Sequence, residues 1–522
     1  MNKLFEKRLN ALVSQGSGNL LSGGLRGVEK ESLRVTETGV LSSRPHPVAL
    51  GSALTNDYIT TDFAEPLLEF VTPAFSSNWQ TLRFLCDIHQ FTYEHLADEL
   101  LWVASMPCLM TSDRDIPIAR YGSSNVAKMK TIYRRGLGYR YGRTMQTIAG
   151  LHFNYSLPEA FWPVYREMRQ SDLTPRDFRS AEYFGLVRNF RRLGWIVPYL
   201  FGASPALCKS FVSGDNHGLE EFDPDTLYQP YATSLRMSDL GYSNRSQAGI
   251  NISLNSLDEY VRELSEAIDT PDPDYEKIGV KVDGQYRQLS SNRLQIENEY
   301  YSPVRPKRVA RSGERPTSAL RRGGVQYVEI RSLDLGIADP AGINQNVMRF
   351  MEAFLIYCLL SDSPPLGDQE YVDVLANHTQ TAKRGRDPDF RLRRDGEALP
   401  LASWADAILD GVSAVADVLD AADDGGDYAT AVSRQRDLVH NPDQTPSALI
   451  LEDLRRESTG FFRYALQRAR DTRDYFAALE PLSTENRELF EREAAESLRR
   501  QAAIETSDDI EFDEYLANYY AS

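Results

Sequence analysis

Residues 27–35 read Gly-Val-Glu-Lys-Glu-Ser-Leu-Arg-Val and set two carboxylates, Glu29 and Glu31, two positions apart in a strand-like run. In an extended chain alternate side chains share a face, so the two acids point the same way and repel each other. Something positive should sit between them, and for an all-oxygen site the usual occupant is a hard divalent cation such as Mg²⁺. The pattern asks for a sheet with a polar face lining a cavity and an apolar face against a core.

Other segments carry related patterns. Residues 59–73 embed Asp62, Glu65 and Glu69 among Leu, Phe, Ile, Val and Thr, and Pro66 argues against a regular helix there. Residues 325–334 put Glu329 and Arg331 on one strand face and Val328 and Ile330 on the other. Residues 294–301 repeat the Glu-x-Glu spacing at Glu297 and Glu299, and His152 shares a face with Asn154 and Ser156 in the run 150–158. Each of these alone fits a half-exposed strand with ordinary surface carboxylates, and a lone histidine is more often structural. Carboxylates from separate strands that converge on one face are also how proteins hold Mg²⁺ at a phosphate.

Strand patterns fall at 27–35, 58–72, 147–157, 247–254, 292–301 and 325–335, and helical patterns near 76–98, 159–169, 175–191, 256–268 and 342–361. Strands scattered this widely, several with a polar face, define an α+β fold with a largely antiparallel sheet. The glycine-rich stretch 16–24 lacks the ending of a phosphate loop and reads as a turn. Residues 363–367 break the composition. This divides the chain into a core over 1–365 and a mostly helical region over 366–522 that packs on it.

The balance of 58 Lys and Arg against 75 Asp and Glu, net −17, argues against non-specific nucleic-acid binding and makes local cation clusters informative. One cluster spans 305–322 and another, free of acids, spans 133–143. Both fit solvated loops, single-stranded nucleic-acid contacts or, opposite an acidic cavity, the binding of phosphates and carboxylates. Arg236 lies in a largely uncharged, turn-rich stretch where its fork of donors suits a substrate carboxylate. Cys86, Cys108, Cys208 and Cys358 are widely spaced and read as reduced thiols. The amphipathic start lacks the apolar core of a signal peptide, and the most apolar stretch, 195–207, is too short to span a bilayer. A cytoplasmic protein is expected.

Five phrases occur in a diagnostic order: Arg-Gly-Val-Glu-Lys-Glu-Ser-Leu-Arg-Val, Ile-Thr-Thr-Asp-Phe-Ala-Glu-Pro-Leu-Leu-Glu-Phe, Pro-Tyr-Leu-Phe-Gly-Ala-Ser-Pro-Ala, Tyr-Ala-Thr-Ser-Leu-Arg-Met-Ser-Asp-Leu-Gly-Tyr and Arg-Pro-Lys-Arg-Val. In them the chain resembles the proteobacterial type of glutamate–cysteine ligase over most of residues 20 to 360. Beyond about 365 the similarity is loose. The resemblance implies a glutamine synthetase-like fold, with an antiparallel sheet curved into a funnel, and ATP-dependent ligation of glutamate's γ-carboxylate to the amine of cysteine. It implies that Glu29, Glu31, Asp62, Glu69, His152 and Glu329 form a Mg²⁺ shell of two or three ions, with Mn²⁺ as a substitute. Arg236 is implied to hold glutamate, and Phe63, Tyr133, Arg134, Leu137, Gln146 and Tyr242 to form the cysteine pocket. The resemblance also implies that Asn154, Lys307 and Arg331 face the nucleotide, with Arg331 stabilising the migrating charge, and the need to exclude water gives loops such as 133–143 a closing role. The implied protein is monomeric and binds neither nucleic acid nor membrane. The competing readings are a related ligase with another amine acceptor and a non-catalytic metal-binding protein.

Overall fold

The computed structural model describes residues 3–108, 112–212, 217–241, 249–311, 313–423 and 425–521. Seven strands form the main sheet: β1 (Leu25–Thr36), β2 (Ile59–Thr61), β3 (Leu67–Val71), β4 (Glu99–Leu101), β5 (Leu151–Ser156), β6 (Val304–Lys307) and β7 (Tyr327–Leu333). Their order is β6-β7-β5-β1-β3-β2, with β4 paired to the far end of β1, and every pairing is antiparallel. The expected α+β architecture is the one observed.

Register decides which side chains meet. Glu29 lies opposite His152, Glu31 opposite Glu69, Asn154 opposite Glu329, and Glu329 opposite Arg305. Because side chains alternate, these pairings gather the acids, the histidine and the cations of five strands on one face. The other face carries Val28, Phe70, Phe153, Val328 and Ile330, all fully buried. Burial of each such side chain is worth about 1.5–3 kcal/mol, so a one-residue slip of β1 would lose both the core and the acidic face.

Helices α1 (Asn78–His95), α2 (Asn125–Tyr141), α3 (Pro175–Leu193) and α4 (Gln345–Leu360) surround the sheet. Helix α1 packs on β1 and β3, α3 packs on β6 and β7, and α4 packs on both helices. Helix α4 is buried continuously from Phe350 to Leu360. Its one buried acid, Glu352, is answered by Arg26 at 2.6 Å and the Tyr428 hydroxyl at 2.8 Å. Phe461, Phe476 and Phe490, from helices Phe461–Ala478 and Thr484–Ser507, join the same apolar core as the sheet. The last described helix, α5 (Phe512–Ala521), packs on α2.

Four expectations are corrected. Residues 249–254 contain no strand. Residues 292–301 form turns and the 3₁₀ turn Glu297–Glu299, so Glu297 and Glu299 do not share a strand face. Instead Glu297 accepts from Arg315 at 3.0 Å and Thr317 at 2.6 Å, while Glu299 accepts from Arg140 at 2.8 Å and Tyr141 at 2.7 Å. Most of 133–143 is not a loop but the C-terminal half of α2, capped by Ser124 at its start and closed by Gly142 at φ +83°. Finally, Cys108 and Cys208 are joined in a disulfide with their Cα atoms 5.4 Å apart, so only Cys86 and Cys358 are free. The two partners are 100 residues apart, and spacing along the chain could not reveal their proximity.

Candidate active site

The polar face of the sheet lines a cavity of about 430 Å³. Glu29, Asp62, Glu69, His152 and Glu329 supply its acidic side, and Arg305, Lys307 and Arg331 its basic side. Phe63, Tyr133, Arg134, Leu137 and Gln146 line the same space. Glu31, Asn154 and Arg236 are not part of this lining and touch residues that form it, His152, Glu29 and Arg331 respectively. Tyr242 lies outside the described residues.

Short-range geometry ties the acids together. His152 Nδ1 lies 3.0 Å from Glu29 Oε2, and its Nε2 lies 3.6 Å from Glu31 Oε1. Asn154 Nδ2 donates to Glu29 Oε1 at 2.9 Å, and the Gly150 amide donates to Glu31 Oε2 at 2.6 Å. One ligand atom from each of Glu29, His152 and Glu329 falls within 4.8 Å of the others. Asn154 Oδ1 and Glu329 Oε2 are buried and accept no hydrogen bond. A divalent cation fits this donor set. The set offers carboxylate oxygens and one imidazole, and buried acceptors left without a donor are costly.

Electrostatics point the same way. Burial, then the charge of Asp62, pushes Glu31 up to about 7. Burial and the charges of Glu29, Asp62 and Glu31 push Glu69 well above the usual carboxylate range. Burial also works against Glu329, yet Lys307 at 3.3 Å and Arg331 at 3.9 Å outweigh it and hold this carboxyl well below its ordinary value. Burial likewise raises Glu29, but its hydrogen bond with His152 leaves it lowered. Lys30, between the two glutamates, points into the opposite layer, where Nζ meets His89 Nε2 at 2.7 Å.

The raised carboxyls fix the sign of a pH effect. A carboxyl whose folded pKa lies above its unfolded value stabilises the fold at low pH and loses that contribution as pH rises through the folded pKa. For Glu31 the window runs from the ordinary 4.5 to about 7. In EDTA, the thermal midpoint of the parent is expected to drop relative to that of Glu31→Gln between pH 5 and pH 8, because other buried groups titrate alike in both proteins. Equal slopes in calorimetry for the two proteins would contradict this assignment.

Not every acid or arginine singled out in the sequence faces the cavity. Glu65 turns away to accept the His46 amide at 2.9 Å and the Arg120 amide at 2.8 Å. In the arginine-rich stretches, Arg135 donates to the Tyr286 carbonyl, Arg143 to the Ile116 carbonyl at 2.9 Å, and Arg322 pairs with Glu314 at 2.8 Å. Arg236 is 2% exposed, donates to the Arg331 carbonyl at 2.9 Å and lies 3.6 Å from Asp334. Its guanidinium fits there because residue 150 is glycine; a Cβ at that position would come within 2.2 Å of Arg236 Nη2. Lys130, Tyr141, Tyr301, Tyr515 and Tyr519 also line the cavity. No role for any of them is read from the sequence: Tyr141 and Tyr301 lie inside the singled-out runs 133–143 and 294–301, Lys130 lies just before the first of these, and Tyr515 and Tyr519 belong to a segment it leaves unexplained.

Carboxylates set beside arginines and a lysine in one concave cavity are the arrangement of an enzyme acting on charged small molecules. A family model described as glutamate-cysteine ligase matches residues 9–381, and the chain belongs to that family. It is 49% identical to the glutamate–cysteine ligase of Alcanivorax borkumensis over 99% of both chains. To the glutamate–cysteine ligase of Pseudomonas putida it is 47% identical, over 100% of this chain and 99% of that one. The crystal structure of glutamate–cysteine ligase from Francisella tularensis in complex with AMP superposes with a TM-score of 0.90 at 36% identity, covering 96% of this chain and 98% of that one. Among the described residues no helix is long and apolar enough to cross a membrane.

Proposed function

We propose that this chain is a glutamate–cysteine ligase that joins the γ-carboxylate of L-glutamate to the amine of L-cysteine, converting ATP to ADP and phosphate, as the first step of glutathione biosynthesis. The observation that carries this reading is the family match across residues 9–381, together with a single cavity that sets an acidic side against Arg305, Lys307 and Arg331. We also propose a cytoplasmic, monomeric enzyme with a catalytic core over 1–365 and a helical region over 366–522.

A carboxylate does not react with an amine until one of its oxygens becomes a leaving group, and phosphorylation makes it one. The γ-carboxylate attacks the γ-phosphorus of ATP and ADP departs; the amine then attacks the acyl carbon and phosphate departs. Arg331 and Lys307, close to Glu329, answer the charge on the transferring phosphoryl group, and Asn154 supports the nucleotide end from outside the lining through its bond to Glu29. The family resemblance assigns glutamate to Arg236, whose guanidinium stands outside the lining on the Arg331 carbonyl and would have to come forward from it to reach the substrate. Phe63, Tyr133, Arg134, Leu137 and Gln146 receive cysteine, as does Tyr242. Arg134 is held for this by its Nε, which donates to the Asp62 carbonyl, and by the Tyr121 ring, 4.7 Å from its guanidinium. Glu29, His152 and Glu329, with Glu31, Asp62 and Glu69, would hold Mg²⁺ or Mn²⁺. When bound, the metal neutralises triphosphate charge as a Lewis acid.

The test is ADP release with glutamate, Mg²⁺ and a panel of amines, with the products identified by mass spectrometry. Cysteine and close isosteres are expected to stimulate turnover and appear in the product. Stimulation by a different amine alone would overturn the acceptor assignment, and no ADP release with any amine would overturn the ligase reading.

A further inference from the structure

Helix α5 reaches the cavity from a part of the chain distant from every other wall. Two stripes at i, i+4 spacing divide its residues. Phe512 and Leu516 are buried in an apolar cluster with Met129, Ile132, Leu289 and Ile296. Tyr515 and Tyr519, on the neighbouring stripe, line the cavity and pack on that cluster, as does Tyr133. Tyr133, which packs on the same apolar cluster, also belongs to the pocket proposed above for cysteine, and this places α5 at the acceptor end.

Polar contacts fix the helix in that position. The Tyr520 hydroxyl donates to the Gln295 carbonyl at 2.8 Å, Asn125 Nδ2 donates to the Ile510 carbonyl at 2.9 Å, and Lys281 pairs with Asp513 at 3.1 Å. Tyr519 stands over Arg315, whose guanidinium lies 5.9 Å from the ring and which pairs with buried Glu297. The helix thus bridges α2 and the segment 281–296, and its two tyrosines wall the space between them.

We propose that Tyr515 and Tyr519 are positioning residues that seal the acceptor end of the cavity, setting the affinity for the amino acid acceptor and keeping water from the activated carboxylate. The proposal rests on the ligase reading above. In the productive step the amine nitrogen bonds to the acyl carbon, the carbon–oxygen bond to phosphate breaks, phosphate leaves with the electron pair and the nitrogen loses a proton. Water attacking the same carbon regenerates glutamate and releases phosphate and a proton, so ATP is hydrolysed without a peptide product. Two aromatic rings over the acceptor end favour the first outcome by filling the volume that water would occupy once the acceptor is bound.

The test uses the full chain with Tyr515→Ala and Tyr519→Ala combined, and with Tyr515→Phe and Tyr519→Phe combined. The readouts are γ-glutamylcysteine formed per ADP released and the KM values for cysteine, glutamate and ATP. The alanine pair is expected to lower the product-to-ADP ratio several-fold and to raise the cysteine KM, with the ATP KM unchanged, while the phenylalanine pair restores the ratio. A folded alanine pair with the parent's ratio and cysteine KM overturns the proposal, as does a fall in kcat alone. If the double variant does not fold, Tyr519→Ala by itself is read on the same terms. Absence of γ-glutamylcysteine from the parent enzyme would instead overturn the ligase reading, so the two failures are distinguishable.

Discussion

Replacing Glu29 with glutamine is expected to lower ligation at least ~100-fold, since perturbing even the partners of metal ligands costs 10–100-fold. The fold should survive. Glutamine is isosteric, its amide oxygen can keep the 2.9 Å bond from Asn154, and its amide nitrogen can donate to His152 once the imidazole changes tautomer. Removing one carboxylate also relieves Glu69, which the charge of Glu29 helps to push upward. Against this stands the loss of Glu29's own favourable bond with His152, which holds its carboxyl lowered, so the midpoint of Glu29→Gln in EDTA should lie close to the parent's, while the stabilisation that Mg²⁺ gives the parent is lost. Unchanged turnover would remove Glu29 from the metal site, and a midpoint in EDTA far below the parent's would make its role structural.

Arg331→Met is expected to lower kcat by about 10²–10³, the usual loss when one preorganised donor to developing charge is removed. Arg331 follows Glu329 on the same strand face and its guanidinium lies 3.9 Å from that carboxylate. Removing it takes away one of the cations that hold Glu329 ionised, while Lys307 at 3.3 Å remains. The fold should hold because Arg331 is on the cavity side, with its neighbours Ile330 and Ser332 in the core. The split between kcat and KM is the measurement. A raised ATP KM with kcat unchanged would make Arg331 a ground-state binding residue only.

Much of the sheet was legible because alternation is a local property. Val28 and Lys30 against Glu29 and Glu31, or Val328 and Ile330 against Glu329 and Arg331, announce a two-faced strand without reference to any partner. The same pattern misled at Glu297 and Glu299. Spacing alone cannot tell a strand from a 3₁₀ turn whose acids bind Arg315, Thr317, Arg140 and Tyr141. The run 133–143 read as a loop because its glycines and arginines obscure helical periodicity. Gly136 leaves room there for the buried Gln295, whose Oε1 would lie 2.1 Å from a Cβ at that position.

By itself the sequence determined that Glu29 and Glu31 share a face, that Glu329 and Arg331 do likewise, and that such strands belong to an antiparallel α+β protein. Period-two geometry fixes these relations within a single strand. The family resemblance already grouped Glu29, Asp62, Glu69 and His152, but only the tertiary structure decided that Glu29 and His152 lie in register, that Glu65 is turned away by the His46 and Arg120 amides, that Cys108 meets Cys208, and that tyrosines from residues 512–521 wall the same cavity. These are contacts between segments far apart in the chain. They follow from register, loop paths and the burial of whole faces, which no local pattern encodes.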